Sequence, residues 1–112
     1  MDDVISLTMP ARAEYTGVAT LVLGGIGTRF ALPYERMDDL QLAVLSVLEA
    51  GGDGEVTLEV KAAAERVSVS IGPLVTGSGL DASLARVLHP LVDSFEGAER
   101  DGREWVELQV SR

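Results

Sequence analysis

The sequence predicts a two-layer α+β fold, with helices packed on one side of a sheet. Three observations carry this. Apolar and polar residues alternate in several short runs, as in strands with one wet face. Two longer segments repeat apolar residues at helical spacing. Gly and Pro mark the boundaries between the two kinds of segment. At 112 residues and 46% hydrophobic content, the chain is expected to form a single domain over residues 1–112 around one core.

Ile5, Leu7 and Met9 alternate with Ser6 and Thr8, which predicts a first strand ended by Pro10. Tyr15, Val18, Ala19, Val22, Ile26 and Phe30 then recur at helical spacing. This first helix contains Gly24, Gly25 and Gly27, each costing about 1 kcal/mol against Ala in a helix interior. The apolar stripe continues past them, so close backbone packing is the expected reason for their presence. Pro33 separates this helix from a second, beginning near Tyr34 or Glu35. Glu35, Asp38 and Asp39 sit in its first turns, where the helix dipole favours acids. Met37, Leu40, Val44, Val47 and Leu48 form its stripe. Leu42, Ala43 and Leu45 broaden the stripe, so burial on more than one side is expected. Gly51-Gly52 supplies the stop.

Val56, Leu58, Val60 and Ala62 alternate with polar residues, as do Val67, Val69 and Ile71. These are two strands joined by a turn around Ala63-Ala64-Glu65. Gly72 to Ala82 reads as a loop. Leu84, Val87, Leu88, Leu91 and Phe95 predict a third helix, kinked or broken at Pro90. The tail reads as a hairpin: a strand near Phe95 to Glu99, a turn at Asp101-Gly102, then Glu104 to Val110. Val106, Leu108 and Val110 are expected to face inward, with Trp105 on the other face beside Glu107 and Gln109. The order is β-α-α-β-β-α-β-β.

Composition narrows the function. Eighteen acidic residues against nine Lys plus Arg give a formal charge of −9. That sign opposes direct nucleic-acid binding and an anionic membrane surface, and it favours solubility or a partner with a basic face. With no cysteine there is no thiolate or disulfide chemistry. The first residues lack the pattern of a signal peptide, and no apolar run reaches the ~20 residues that span a bilayer. A cytoplasmic protein is the expectation. His89 is the single histidine, next to Pro90, and reads as structural or exposed. No His or Cys cluster suggests zinc, and the acids lack a calcium-loop pattern. No metal or cofactor is expected.

Tyr15-Thr16-Gly17-Val18, Gly25-Ile26-Gly27-Thr28-Arg29-Phe30 and the helix from Met37 to Ala50, above all Asp39-Leu40-Gln41-Leu42-Ala43-Val44, carry a resemblance. They resemble the start of the anti-sigma-factor serine kinases, bacterial partner-switching regulators of transcription with a histidine-kinase-like ATPase domain. The resemblance covers nearly the whole chain, is specific up to Gly51 and is weak beyond it. It implies that fold in a shortened form. In the family this helix carries a Glu that handles a proton or water and, four residues later, an Asn that holds magnesium. One helical turn puts both near the same metal-bound phosphate. The matching positions here are Ser46 and Ala50. Glu49 and Asp53 are also four apart, but Gly51-Gly52 should end the helix between them.

The family also has an Asp-x-Gly-x-Gly turn after a strand, which reads adenine. Here the stretch is Ser70-Ile71-Gly72-Pro73-Leu74, without an Asp. The family's long phosphate-cradling lid is cut to about ten residues, with Gly77 and Gly79 as a remnant beside Gly72. Asp81 reads as a helix N-cap or first-turn acid and not as a ligand.

These departures lead to the expectation of a non-catalytic, anti-sigma-factor-like pseudoenzyme. It would not be an enzyme, and would bind a sigma factor or an anti-sigma-antagonist-like protein. Two alternatives stand beside it: a divergent ATP-dependent serine/threonine kinase of the family, and a dimerisation module that keeps only the fold. Arg29, Glu35, Arg36, Asp38 and Asp39 are the candidate partner contacts, although Arg29 also suits a plain salt bridge with Asp39. The first strand is expected near a sheet edge, where a homodimer could pair.

Overall fold

The computed structural model describes residues 3–75 and 81–111. Strand β1 (Asp3–Pro10) leads through a 3-10 turn (Ala13–Tyr15) into α1 (Thr16–Arg29) and α2 (Tyr34–Gly51). Then come β2 (Gly52–Ala62), β3 (Arg66–Leu74), α3 (Ala82–Leu88), β4 (Ser94–Arg100) and β5 (Arg103–Ser111). All five strands form one antiparallel sheet in the order β1-β2-β3-β5-β4. The two-layer α+β arrangement is the one the alternating pattern predicts, and β1 lies at a sheet edge as expected.

The period of two decides which face is covered. Met9, Val56, Leu58, Val60, Val67, Val69, Ile71, Val106, Leu108 and Val110 are all buried on one face. Against them pack Ala19, Leu23 and Ile26 of α1, and Leu40, Ala43, Val44, Val47 and Leu48 of α2. These aliphatic side chains form one core, filled with almost no help from aromatic rings. The opposite face of the sheet carries Ser6, Thr8, Thr57, Glu59, Ser68, Glu107 and Gln109.

The turns follow from local chemistry. Asp101 and Gly102 both have positive φ, 53° and 75°, which makes the β4–β5 connection a two-residue turn of the type that matches strand twist. Helix α1 ends in a Schellman motif: the Leu32 N–H donates to the Gly27 carbonyl at 2.8 Å, and the Ala31 N–H to that of Thr28 at 3.3 Å. Ala31 holds the left-handed position there, at φ 55°.

The helical glycines differ in their reasons. A Cβ at Gly27 would collide with the end of the Met37 side chain, and one at Gly24 would lie 3.4 Å from the Gln41 amide nitrogen. These two permit the close α1–α2 approach that was expected. The Gln41 amide completes it by donating to the Thr20 carbonyl at 2.9 Å.

Three expectations need correction. The stripe predicted for α1 is rotated. Leu23 points inward while Val18 is 42% and Leu21 78% exposed, and Tyr15 belongs to the preceding 3-10 turn. An all-apolar helix gives no contrast from which to read its buried side. Leu42 is 53% exposed, so it does not broaden the buried stripe of α2. The third helix does not continue to Phe95. It stops at Leu88, because Pro90 has no N–H to donate and its ring clashes with the preceding turn. Leu91 lies in the turn that follows, and Phe95 is already in β4.

Candidate functional site

The C-terminal half of α2 and the start of α3 form the walls of a groove of about 450 Å³. Ser46, Glu49 and Ala50 line it from α2; Asp81, Ser83, Leu84 and Val87 line it from the other side. Residues three and four apart on a helix share a face, so Ser46, Glu49 and Ala50 necessarily come together. The structure therefore unites Ser46 and Ala50, the two positions singled out by the resemblance, with the residue that opens α3.

Several of these groups are already engaged. The Ser46 hydroxyl donates to the Leu42 carbonyl at 2.8 Å, one turn back along α2. The Asp81 carboxylate accepts from the Leu84 N–H at 2.8 Å and is the N-cap of α3, as expected. Glu49 is exposed at the rim. The alternative pair fails on geometry: Asp53 belongs to β2, so it does not follow Glu49 by one helical turn.

The charged groups lining the groove are Glu49 and Asp81, both acidic. Such a lining suits a cation and repels a bare polyphosphate. The Leu84 N–H at the start of α3 is already taken by Asp81, and the two acids alone do not attract a nucleotide's phosphates. Gly77 and Gly79, the expected lid remnant, lie outside the described residues. Among the described residues no three His, Asp or Glu side chains group to hold a metal ion.

Gly72 has a different role from the one its motif position suggests. A Cβ there would run into the indole of Trp105, whose Cγ would be 2.6 Å away. Its missing side chain thus opens toward the uncovered face of the sheet, away from the groove.

The candidate partner contacts separate into two groups. Glu35 and Asp38 are exposed on the outer surface of α2, and Asp39 is half-buried. Arg29 is exposed at the end of α1, with its guanidinium 5.4 Å from the Phe30 ring centre; among the described residues no ion pair joins it to Asp39. Arg36 points the other way and donates to Asp93 at 3.1 Å. The Asp93 carboxylate also accepts from the Ser111 hydroxyl and backbone N–H. These two Ser111 bonds, with Arg36 as a smaller cause, hold the Asp93 carboxyl below its ordinary range against a small desolvation penalty.

Sequence reasoning missed the cluster on the uncovered sheet face. Arg100 lies 4.4 Å from the Trp105 ring centre and reaches Glu59 at 3.4 Å and Glu107 at 3.5 Å. Only the outward phase of β2, β4 and β5 hinted at it.

No family model matches the chain. The serine-protein kinase RsbW of Listeria monocytogenes serotype 4a is 30% identical over 89 residues, taking in 72% of this chain and 57% of that kinase. The chain belongs to the anti-sigma-factor serine kinase family. The serine-protein kinase RsbW of Bacillus pumilus is 29% identical over 79 residues, and that of Oceanobacillus iheyensis 45% over 42 residues. The match spans about half the length of the first two of these relatives. The sheet of five strands under three helices is the family's histidine-kinase-like ATPase fold in a shortened form.

Membership corrects one expectation. The altered positions Ser46 and Ala50, the missing adenine-reading Asp and the shortened lid together led to the expectation that the chain is not an enzyme. The relatives are named serine-protein kinases, which points to enzymatic activity and overturns it. No helix among the described residues is long and apolar enough to cross a membrane.

Proposed function

We propose that this protein is a partner-switching regulator of the anti-sigma type, which holds a sigma factor or an anti-sigma-antagonist-like protein on the outer surface of α2. The observation that carries this reading is the contrast between the two sides of that helix. Its inner side is apolar core, while its outer side presents Glu35 and Asp38, with the exposed Leu42 one turn further on. An apolar centre beside acids suits a partner with a basic rim, which acidic charge would also steer into place.

The serine-kinase activity in the relatives' names makes phosphotransfer the activity to look for, and the α2–α3 groove the place to look. The charged groups of the described lining are the acids Glu49 and Asp81, and no chemical step is assigned to it. Assembly as a homodimer and a cytoplasmic location complete the reading.

Affinity capture from the native lysate, with and without magnesium and ATP, tests the proposal. The result expected is specific retention of a sigma factor or a small antagonist protein. Retention of neither, by a folded protein under either condition, would contradict it. Transfer of labelled phosphate from ATP to a serine of the captured antagonist would establish the kinase arm.

A further inference from the structure

Strand β4 is one edge of the sheet, and among the described residues its backbone bonds go to β5 alone. An open edge of this kind is a template for another strand. β4 contains no Pro and no Lys, and its pairing with β5 runs without a bulge from Ser94 to Arg100. Gly97, exposed at its centre, leaves an approaching backbone no side chain to clear. The charges along the strand oppose those of its neighbour. Glu96 stands directly opposite Glu107, and Glu99 directly opposite Glu104. Like charges in directly opposed positions destabilise a strand pair. Arg100 reaches Glu107 at 3.5 Å, but among the described residues no ion pair answers Glu96 or Glu99.

We propose that β4 takes up an extended, basic segment of a partner protein as a sixth strand, with two Lys or Arg residues three positions apart. Alternation puts Glu96 on the uncovered face of the sheet and Glu99 on the other. The residues that meet them from an added strand are therefore three apart and point to opposite faces. The first has a recess to enter, of about 210 Å³, lined by Ser94, Phe95, Glu96, Glu107 and Gln109. A cationic head seated there stands between the two opposed carboxylates and supplies the charge that β5 does not. Arg100 opposite Arg103 closes the acidic stretch, so the added strand runs along Ser94 to Glu99.

The same acids exclude other occupants. Two copies of this chain meeting edge to edge through β4 would bring their own glutamates together. A nucleic-acid backbone would meet the same repulsion. The edge lies apart from the outer surface of α2, so this inference does not rest on the partner reading above. A single added strand about 20 Å long, at ~3.3 Å per residue, falls short of the roughly 800 Å² per partner buried in standard interfaces. Weak, salt-sensitive binding is therefore expected.

Peptide titration of the full chain, followed by tryptophan fluorescence, tests this. Trp105 is the chain's one tryptophan and pairs with Ala98 of β4, so it reports on that edge. The probe is a short, end-blocked peptide of Val and Thr carrying two lysines three positions apart. It should bind saturably below about 1 mM at low salt. Glutamates in place of the lysines should abolish binding. Methylating alternate backbone nitrogens of the peptide keeps its charge but removes strand donors, and should weaken binding at least tenfold. Glu96→Lys/Glu99→Lys should also weaken it at least tenfold. That variant should meanwhile melt at a higher temperature, because it sets bases opposite Glu107 and Glu104, which separates a lost site from a lost fold. No saturable binding by the wild type would overturn the proposal. So would equal binding of the methylated peptide, which would show charge attraction without strand addition, or equal binding by the folded double variant.

Discussion

Gly72 of β3 lies directly beneath the indole of Trp105 on β5, with Arg100 against the same ring. The bare backbone at Gly72 is what allows a large ring to lie on a sheet face that is otherwise polar. Gly72→Ala would drive a methyl into that ring, and backbone on one side and Arg100 nearby leave little room to yield. The substitution should cost about 1–3 kcal/mol, as overpacking does. Urea denaturation followed by Trp105 fluorescence measures it; an unchanged midpoint would mean the ring moves aside freely.

Ala31 offers the opposite opportunity. It occupies the left-handed position of the Schellman motif at φ 55°, where a Cβ is strained and Gly is the usual residue. Ala31→Gly should stabilise the protein by about 0.5–1 kcal/mol, because relief of the left-handed penalty exceeds the entropy cost of Gly. Differential scanning calorimetry should show a higher melting temperature. A lower one would show that Ala31 is not strained.

Asp93 makes stability depend on acid. Its carboxyl, held down by Ser111 and by Arg36, binds a proton less readily in the folded chain than in the unfolded one, where an Asp titrates near ~3.9. A lowered folded value gives stability that is complete above that pH and is lost as pH falls toward the folded value. Asp93→Asn should therefore lower the melting temperature at neutral pH and flatten its fall below about pH 4. Parallel melting curves for the two proteins across that range would remove Asp93 from the account. The same pair makes Arg36 a poor probe of partner binding: its reversal would put a like charge beside Asp93 and change stability along with surface charge.

Much of the fold was legible because the strands obey a strict period. Val56 to Ala62 and Val106 to Val110 alternate cleanly, and the buried face is the one the alternation names. The second helix was legible for the same reason, since Leu40, Val44, Val47 and Leu48 stand against acids. Helix α1 was not, because every side of it is apolar and Val18 is as hydrophobic as Leu23. The third helix was overextended because Leu91 and Phe95 continue its spacing, and Pro90 overrides spacing. At the candidate site, helical spacing puts Ser46 and Ala50 on one face, and Asp81, legible as an N-cap, lies across the groove from them. Family positions misled on Gly72, whose reason is a contact with Trp105, 33 positions away in sequence. They also misled on enzymatic activity, where the altered helix pair, the absent Asp and the short lid were weighed more heavily than membership of a kinase family.

The claim that the outer surface of α2 holds a partner is tested most directly by comparing capture with the wild type and with Glu35→Lys/Asp38→Lys. Both residues are exposed and neither is paired among the described residues, so the fold should survive with a melting shift of only a few degrees. Loss of Glu35 from the first turn should cost no more than about 1 kcal/mol through the helix dipole. The account predicts that the wild type retains a sigma factor or an antagonist-like protein from native lysate and that the double variant retains at least tenfold less. Equal retention by both folded proteins would contradict it.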